Sequence, residues 1–171
     1  MAPHLSGLHH LDLGTAEAAP DSELSDLIPT LTGASFAGSL LSLTLGNVRA
    51  DGLSRLAASS VFARVRRFAC GGDIDVEPWS AFPALVDLTI RESHMPAFVR
   101  SALALRVRDL EVRAFGGGRA AARTAWLDLI ERAPPPRRLF LNCHNPGREA
   151  FAAMRRGGWL RELRELSISG D

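Results

Sequence analysis

The sequence predicts an α/β fold in which short parallel strands stack into a sheet and helices or irregular segments return the chain over its far side. Three observations predict it. First, a six-residue pattern, apolar-x-x-apolar-x-apolar, recurs seven times. Its central apolar residues are Leu11, Leu43, Phe68, Leu88, Leu110, Leu139 and Leu166; Leu43 follows Leu11 by 32 residues and Leu88 follows Phe68 by 20, and these are the extremes of the spacing. Second, the pattern alternates with a period of two, which in an extended chain puts both apolar side chains on one face. A single strand cannot bury that face, but stacked strands can, given returns of a dozen or more residues between parallel neighbours. Third, several of the intervals carry helical periodicity.

Taken in order, the strands are expected at Leu8 to Leu13, Leu40 to Leu45, Val65 to Cys70, Leu85 to Ile90, Val107 to Val112, Pro136 to Leu141 and Leu163 to Ile168. Of the seven, only that at Pro136 begins with a residue that is not aliphatic. The first return, "DSELSDLIPTL", opens with Asp21 or Ser22 as a helix cap and sets Leu24, Leu27 and Ile28 on one face. "GLSRLAASSVF" offers Leu53, Leu56 and Val61. The two shortest intervals, containing "DIDVEPWSAFP" and "SHMPAFVRSAL", are proline-marked and predict extended or 3₁₀ returns. "TAWLDLIERA" offers Trp126, Leu129 and Ile130, and "GREAFAAMRRGG" offers Phe151 and Met154 before a glycine stop. Stacking of the seven centres predicts burial of Leu43, Leu88, Leu110, Leu139 and Leu166. Neither end carries a polar cap, so the C-terminal edge is expected to be completed by another copy of the chain, a partner or a following domain.

These motifs, spread along almost the whole chain, resemble the leucine-rich repeat family. The resemblance implies a horseshoe solenoid with a parallel sheet on its concave face, helices or irregular returns on its convex face, and protein binding through the concave side. It gives one domain spanning 1–171, with about seven irregular repeats, that could belong to a longer protein. Family members usually carry asparagine three residues past the second core leucine; here Ala16, Val48, Asp73, Ser93, Phe115, His144 and Asp171 hold that place. The alternative is a doubly wound α/β fold. Against it, no Gly-rich phosphate loop follows any strand, since "FGGGRAA" has neither the GxxxxGK[ST] lysine nor the GxGxxG spacing.

Composition narrows the function classes. With 46% hydrophobic and 23% charged residues in 171, the chain has the make-up of an ordinary globular domain, and a net charge of +1 gives no global pull toward nucleic acid or an anionic membrane. The basic pairs at Arg66, Arg137 and Arg155 form no stripe and lack interleaved aromatics for base stacking. No apolar run approaches the length of a spanning helix and the N-terminus lacks signal-peptide features, so a cytoplasmic location is expected. All 20 basic residues are arginine, and alanine and glycine abound, as codon bias in a GC-rich, bacterial genome would produce.

Catalysis, metals and cofactors are not expected. Cys70 and Cys143 form no CxxC pair and read as buried thiols. His9, His10, His94 and His144 fall in different repeats without HExxH or GxSxG spacing, and Cys143 and His144, being adjacent in extended chain, point to opposite faces.

A function is expected on the outward residues of the strands instead. Those of the first three strands are mostly small, whereas strands four to six carry Asp87, Arg91, Asp109, Glu111, Arg113, Arg138, Phe140 and Asn142. At a strand spacing of about 4.8 Å, Asp87 would neighbour Asp109 and Arg91 would neighbour Arg113, an acidic stripe beside a basic one. Phe140, flanked by Arg138 and Asn142, is the sharpest candidate because aromatic and arginine side chains dominate interface energetics. The expected activity is non-catalytic protein binding on this face, with an unidentified protein partner and self-association through the C-terminal edge. The alternative is a passive spacer or a fragment of a larger multidomain protein, in which case these charges only keep a solvated sheet wet.

Overall fold

The structure, a computed structural model, describes residues 7–13, 22–46, 48, 50–59, 62–70, 79–80, 82–113, 119–142 and 146–169. The chain forms two compact units, Met1–Leu85 and Val86–Asp171. Both are α/β, and every strand pairing within each is parallel.

The first unit runs β1 (His10–Asp12), α1 (Ser22–Gly33), β2 (Ser42–Leu45), α2 (Ala50–Ala58) and β3 (Arg67–Cys70). Leu11 lies opposite Leu43, and Leu43 opposite Phe68, so these three apolar residues stand side by side in register. Leu43 and Phe68 are fully buried. In α1 the inward stripe is Ile28 with Leu31, while Leu27, expected on that face, is 44% exposed. Its position, about 100° around the helix from Ile28, carries it to the rim of the stripe. Asp21, and the side chains of Ser22 and Leu24, fall outside the described residues. Helix α2 buries Leu56; the side chain of Leu53, and Val61, also fall outside them.

The proline-marked interval after β3 contributes more than a return. Phe68 meets Trp79 edge-on and stacks on Phe82, with ring centroids 5.5 Å apart in both pairs. Both partners are buried, and aromatic pairs of this kind add about 0.5–1.5 kcal/mol beyond their burial. Cys70 is a buried thiol whose Sγ donates to the Gly46 carbonyl at 3.4 Å.

The second unit runs β4 (Asp87–Arg91), α3 (Met95–Arg100), β5 (Asp109–Arg113), α4 (Arg119–Arg132), β6 (Arg138–Asn142), α5 (Gly147–Arg156), α6 (Trp159–Glu162) and β7 (Glu165–Ile168). Leu88, Leu110, Leu139 and Leu166 form one row across the four strands, and Ile90, Val112, Leu141 and Ile168 a second. Helices α4 and α5 pack behind them: Trp126, Leu129 and Ile130 are buried at the expected i, i+3, i+4 spacing, as are Ala150 and Met154. Phe151, expected inward, is only half-buried.

Two expectations hold with a refinement and one is corrected here. The interval between β4 and β5 carries the expected 3₁₀ return, with turns at Glu92–His94 and Ala102–Leu105, and in addition the six-residue α3 between them. Pro96 sits in the first turn of α3, where a backbone donor has no helical acceptor, so it starts the helix instead of preventing it. The glycine stop after α5 is followed by a further turn of helix, α6, which buries Trp159. Gly158, with φ 78°, supplies the left-handed step between the two. Finally, Leu166 is not buried. Leu88, Leu110 and Leu139 are 0–2% exposed, whereas Leu166 is 39% and Ile168 49% exposed. The cause is position: β7 has β6 on one side, and among the described residues no strand lies on the other.

Among the described residues no helix is long and apolar enough to cross a membrane.

Candidate functional site

The period-two alternation that buries Leu88, Ile90, Leu110, Val112, Leu139 and Leu141 turns the residues between them outward. The parallel register then brings all eight candidate residues together on β4, β5 and β6. Asp87 stands opposite Asp109 and Asp109 opposite Arg138; Thr89, Glu111 and Phe140 form the next row; Arg91, Arg113 and Asn142 form the third. Glu165 and Ser167 of β7 extend the first two rows beside Arg138 and Phe140.

The stripes expected from the sequence are present as rows, and within them Arg138 and Arg113 are paired with carboxylates. The Arg138 guanidinium makes a bidentate contact with Asp109, donating from Nε to Oδ1 at 2.9 Å and from Nη2 to Oδ2 at 2.7 Å. The same Nη2 lies 3.7 Å from Oδ2 of Asp87. This fork holds the guanidinium above its ordinary value, first through the hydrogen bond to Asp109 and then through that carboxylate's charge, with lesser contributions from Asp87 and Glu165. Its neighbour across the face is a second pair, in which Arg113 Nε donates to Glu111 Oε1 at 2.7 Å within β5. Thr89 steadies that carboxylate from β4, its hydroxyl donating to Oε2 at 3.2 Å.

The face therefore carries three acids and three arginines with their charges in balance, arranged as two preset arginine–carboxylate pairs around one aromatic. Phe140 is half-buried between Glu111 and Ser167, while Asn142 is exposed at the C-terminal end of β6. Thr89 and Glu165 were not singled out from the sequence as site residues. Both stand in the rows that alternation defines, and that row position was the available signal.

The described histidines lie outside this face. His9 and His10 lie at β1, and His94 is buried in the 3₁₀ turn after β4 with Glu92. Cys143 and His144 lie outside the described residues. Among the described residues no three of His, Cys, Asp and Glu are grouped so that they could hold a metal ion. No family model matches the chain, and no curated protein matches it.

Proposed function

We propose that this chain is a non-catalytic protein-interaction module of irregular leucine-rich-repeat type, binding a protein partner through the outward face of β4, β5 and β6, which in such a solenoid is the concave side. The repeat reading is supported by the L-x-L centres, which occupy equivalent register positions within each unit. The binding reading rests on one observation, the pair of preset arginines around Phe140. Arg138 and Arg113 are each held by a carboxylate, so less rotamer freedom remains to be lost when a partner docks. An aromatic next to fixed guanidinium groups has the composition of an interface hot spot, and the balanced charge suits a polar protein surface better than a polyanion.

The passive-spacer reading is favoured by the same ion pairs, since a face whose charges are internally satisfied is also a stable solvated one. Affinity enrichment from the host with wild-type, Phe140→Ala and Arg113→Ala baits separates the two. The binding reading expects a partner whose affinity falls by more than about 1 kcal/mol with either substitution while unfolding midpoints stay near wild type. Equal capture by all three baits assigns the β4–β6 face to solvent, and no partner captured by any of them assigns the chain to the spacer role.

A further inference from the structure

We propose that Arg108, Arg137 and Arg164 form a second binding site, an arginine ladder on the rim of the sheet that takes an extended acidic protein segment with apolar side chains between its carboxylates. None of the three belongs to the β4–β6 face, and their role does not depend on binding there.

Backbone register builds the row. The residue just before β5, β6 and β7 donates its N–H to the preceding strand's segment: Arg108 to the Val86 carbonyl at 2.7 Å, Arg137 to the Arg108 carbonyl, and Arg164 to the Arg137 carbonyl at 2.8 Å. The next residue donates to the same carbonyl, Asp109 at 3.1 Å, Arg138 at 3.2 Å and Glu165 at 3.3 Å, so each register is fixed twice. Parallel strands lie about 4.8 Å apart, which spaces the three arginines evenly over about 10 Å. In the sequence Arg137 belongs to one of several scattered basic pairs; the fold makes it the middle of a stripe.

All three side chains are exposed. Arg108 and Arg137 are so although β5 and β6 each have a strand on both sides, so the exposure comes from the rim and not from the last strand. Alternation keeps them off the outward row of Asp109, Arg138 and Glu165. Among the described residues, none of the three side chains is in a hydrogen bond or an ion pair. Like charges this close repel one another, and a bound anion relieves that repulsion. Beside the charge runs an apolar line: Leu105, 59% exposed, and Pro134, also exposed, stand three residues before Arg108 and Arg137, and Leu160, 42% exposed, four before Arg164. Arg161 and Glu162, exposed in the same turn as Leu160, offset each other in charge. A fitting ligand therefore turns negative groups to the ladder and apolar groups to Leu105, Pro134 and Leu160. An extended segment of alternating acidic and apolar residues does both, since its carboxylates recur on one side about every 6.8 Å, within reach of flexible arginine stems. Each guanidinium fork matches a carboxylate, as Arg138 already takes Asp109. A phosphate chain would supply the charge without the apolar groups, and a net charge of +1 gives it no long-range pull.

Fluorescence anisotropy of the 171-residue chain with the labelled peptide Glu-Leu-Glu-Leu-Glu-Leu-Glu tests it. Exposed charge pairs are individually weak, so binding should fall between about 10 µM and about 1 mM and weaken as salt is added. The same peptide with Gln in place of every Glu should not bind. Combining Arg108→Gln, Arg137→Gln and Arg164→Gln should weaken binding by about tenfold or more, whereas Arg155→Gln, exposed on α5, should leave it unchanged. Inorganic polyphosphate and oligothymidylate, at equal charge, should compete less well than the unlabelled peptide. No binding up to about 1 mM, equal binding of the glutamine peptide, undiminished affinity in the triple variant, or stronger competition by either phosphate chain would each overturn the proposal. The glutamine peptide requires no change to the protein, so that comparison decides even if the triple variant fails to fold.

Discussion

Arg138 sits where strand alternation turns it outward, and the register of β5 and β4 puts Asp109 and Asp87 within reach of its guanidinium. Being partly exposed, such a pair contributes on the order of 1 kcal/mol or less, so Arg138→Met should lower urea stability by no more than that, and by less as salt is added. The sign of its pH dependence follows from the raised guanidinium. A group held above its ordinary value contributes stability that is present below that value and lost only as pH rises through the raised one. The difference between wild type and Arg138→Met should therefore not decline between about pH 7 and about pH 10. Leu110 is the opposite kind of residue, 2% exposed and flanked in register by Leu88 and Leu139. Leu110→Ala should cost about 2–5 kcal/mol in the same titration, through lost burial plus the cavity left behind. Both positions were legible in the sequence, since a period of two assigns the face of every strand residue. The pairing of Arg138 with Asp109 was not, because alternation names neighbours but not which rotamers they adopt.

At the level of elements, the longer helices α1, α2, α4 and α5 could be read because each carries apolar residues at i, i+3 or i+4 spacing. Helices α3 and α6 could not: six and four residues are too few for a period to appear, and what makes them helical is the packing of Met95, Phe98 and Trp159 into the core. The turn into α6 has one position with a strict backbone demand. Gly158 adopts φ 78° with nothing within 4 Å of where a Cβ would sit. Gly158→Ala should therefore cost about 1–2 kcal/mol from backbone conformation alone, measured as a lower unfolding midpoint with an unchanged denaturant slope. A larger loss would mean that the side chain meets an obstacle there. The exposure of Leu166 and Ile168 was only half legible. The sequence shows the apolar pattern at Leu163, Leu166 and Ile168, yet the stacking rule by itself buries every centre and says nothing of how far cover extends on an edge strand.

For the molecule as a whole, each of the two units is built on parallel strands, while the charged outward side chains of β4, β5 and β6 belong to the second. In the first, the outward residues of β2 and β3 include Ser42, Thr44 and Ala69; in the second, the corresponding rows hold the paired acids, arginines and Phe140. Fold class and face could thus be read from period and polarity, whereas the partner could not, because a balanced, internally paired surface carries no net charge or metal-ligand spacing that names its ligand. The account's central claim is that recognition belongs to the β4–β6 face. Its most direct test is isothermal titration of the captured partner into wild type, Phe140→Ala and, as a control on the other unit, Thr44→Ala. The account predicts that Phe140→Ala weakens binding by more than about fivefold, the equivalent of about 1 kcal/mol, while Thr44→Ala leaves it unchanged. Equal affinity for all three proteins, or a loss confined to Thr44→Ala, would contradict it.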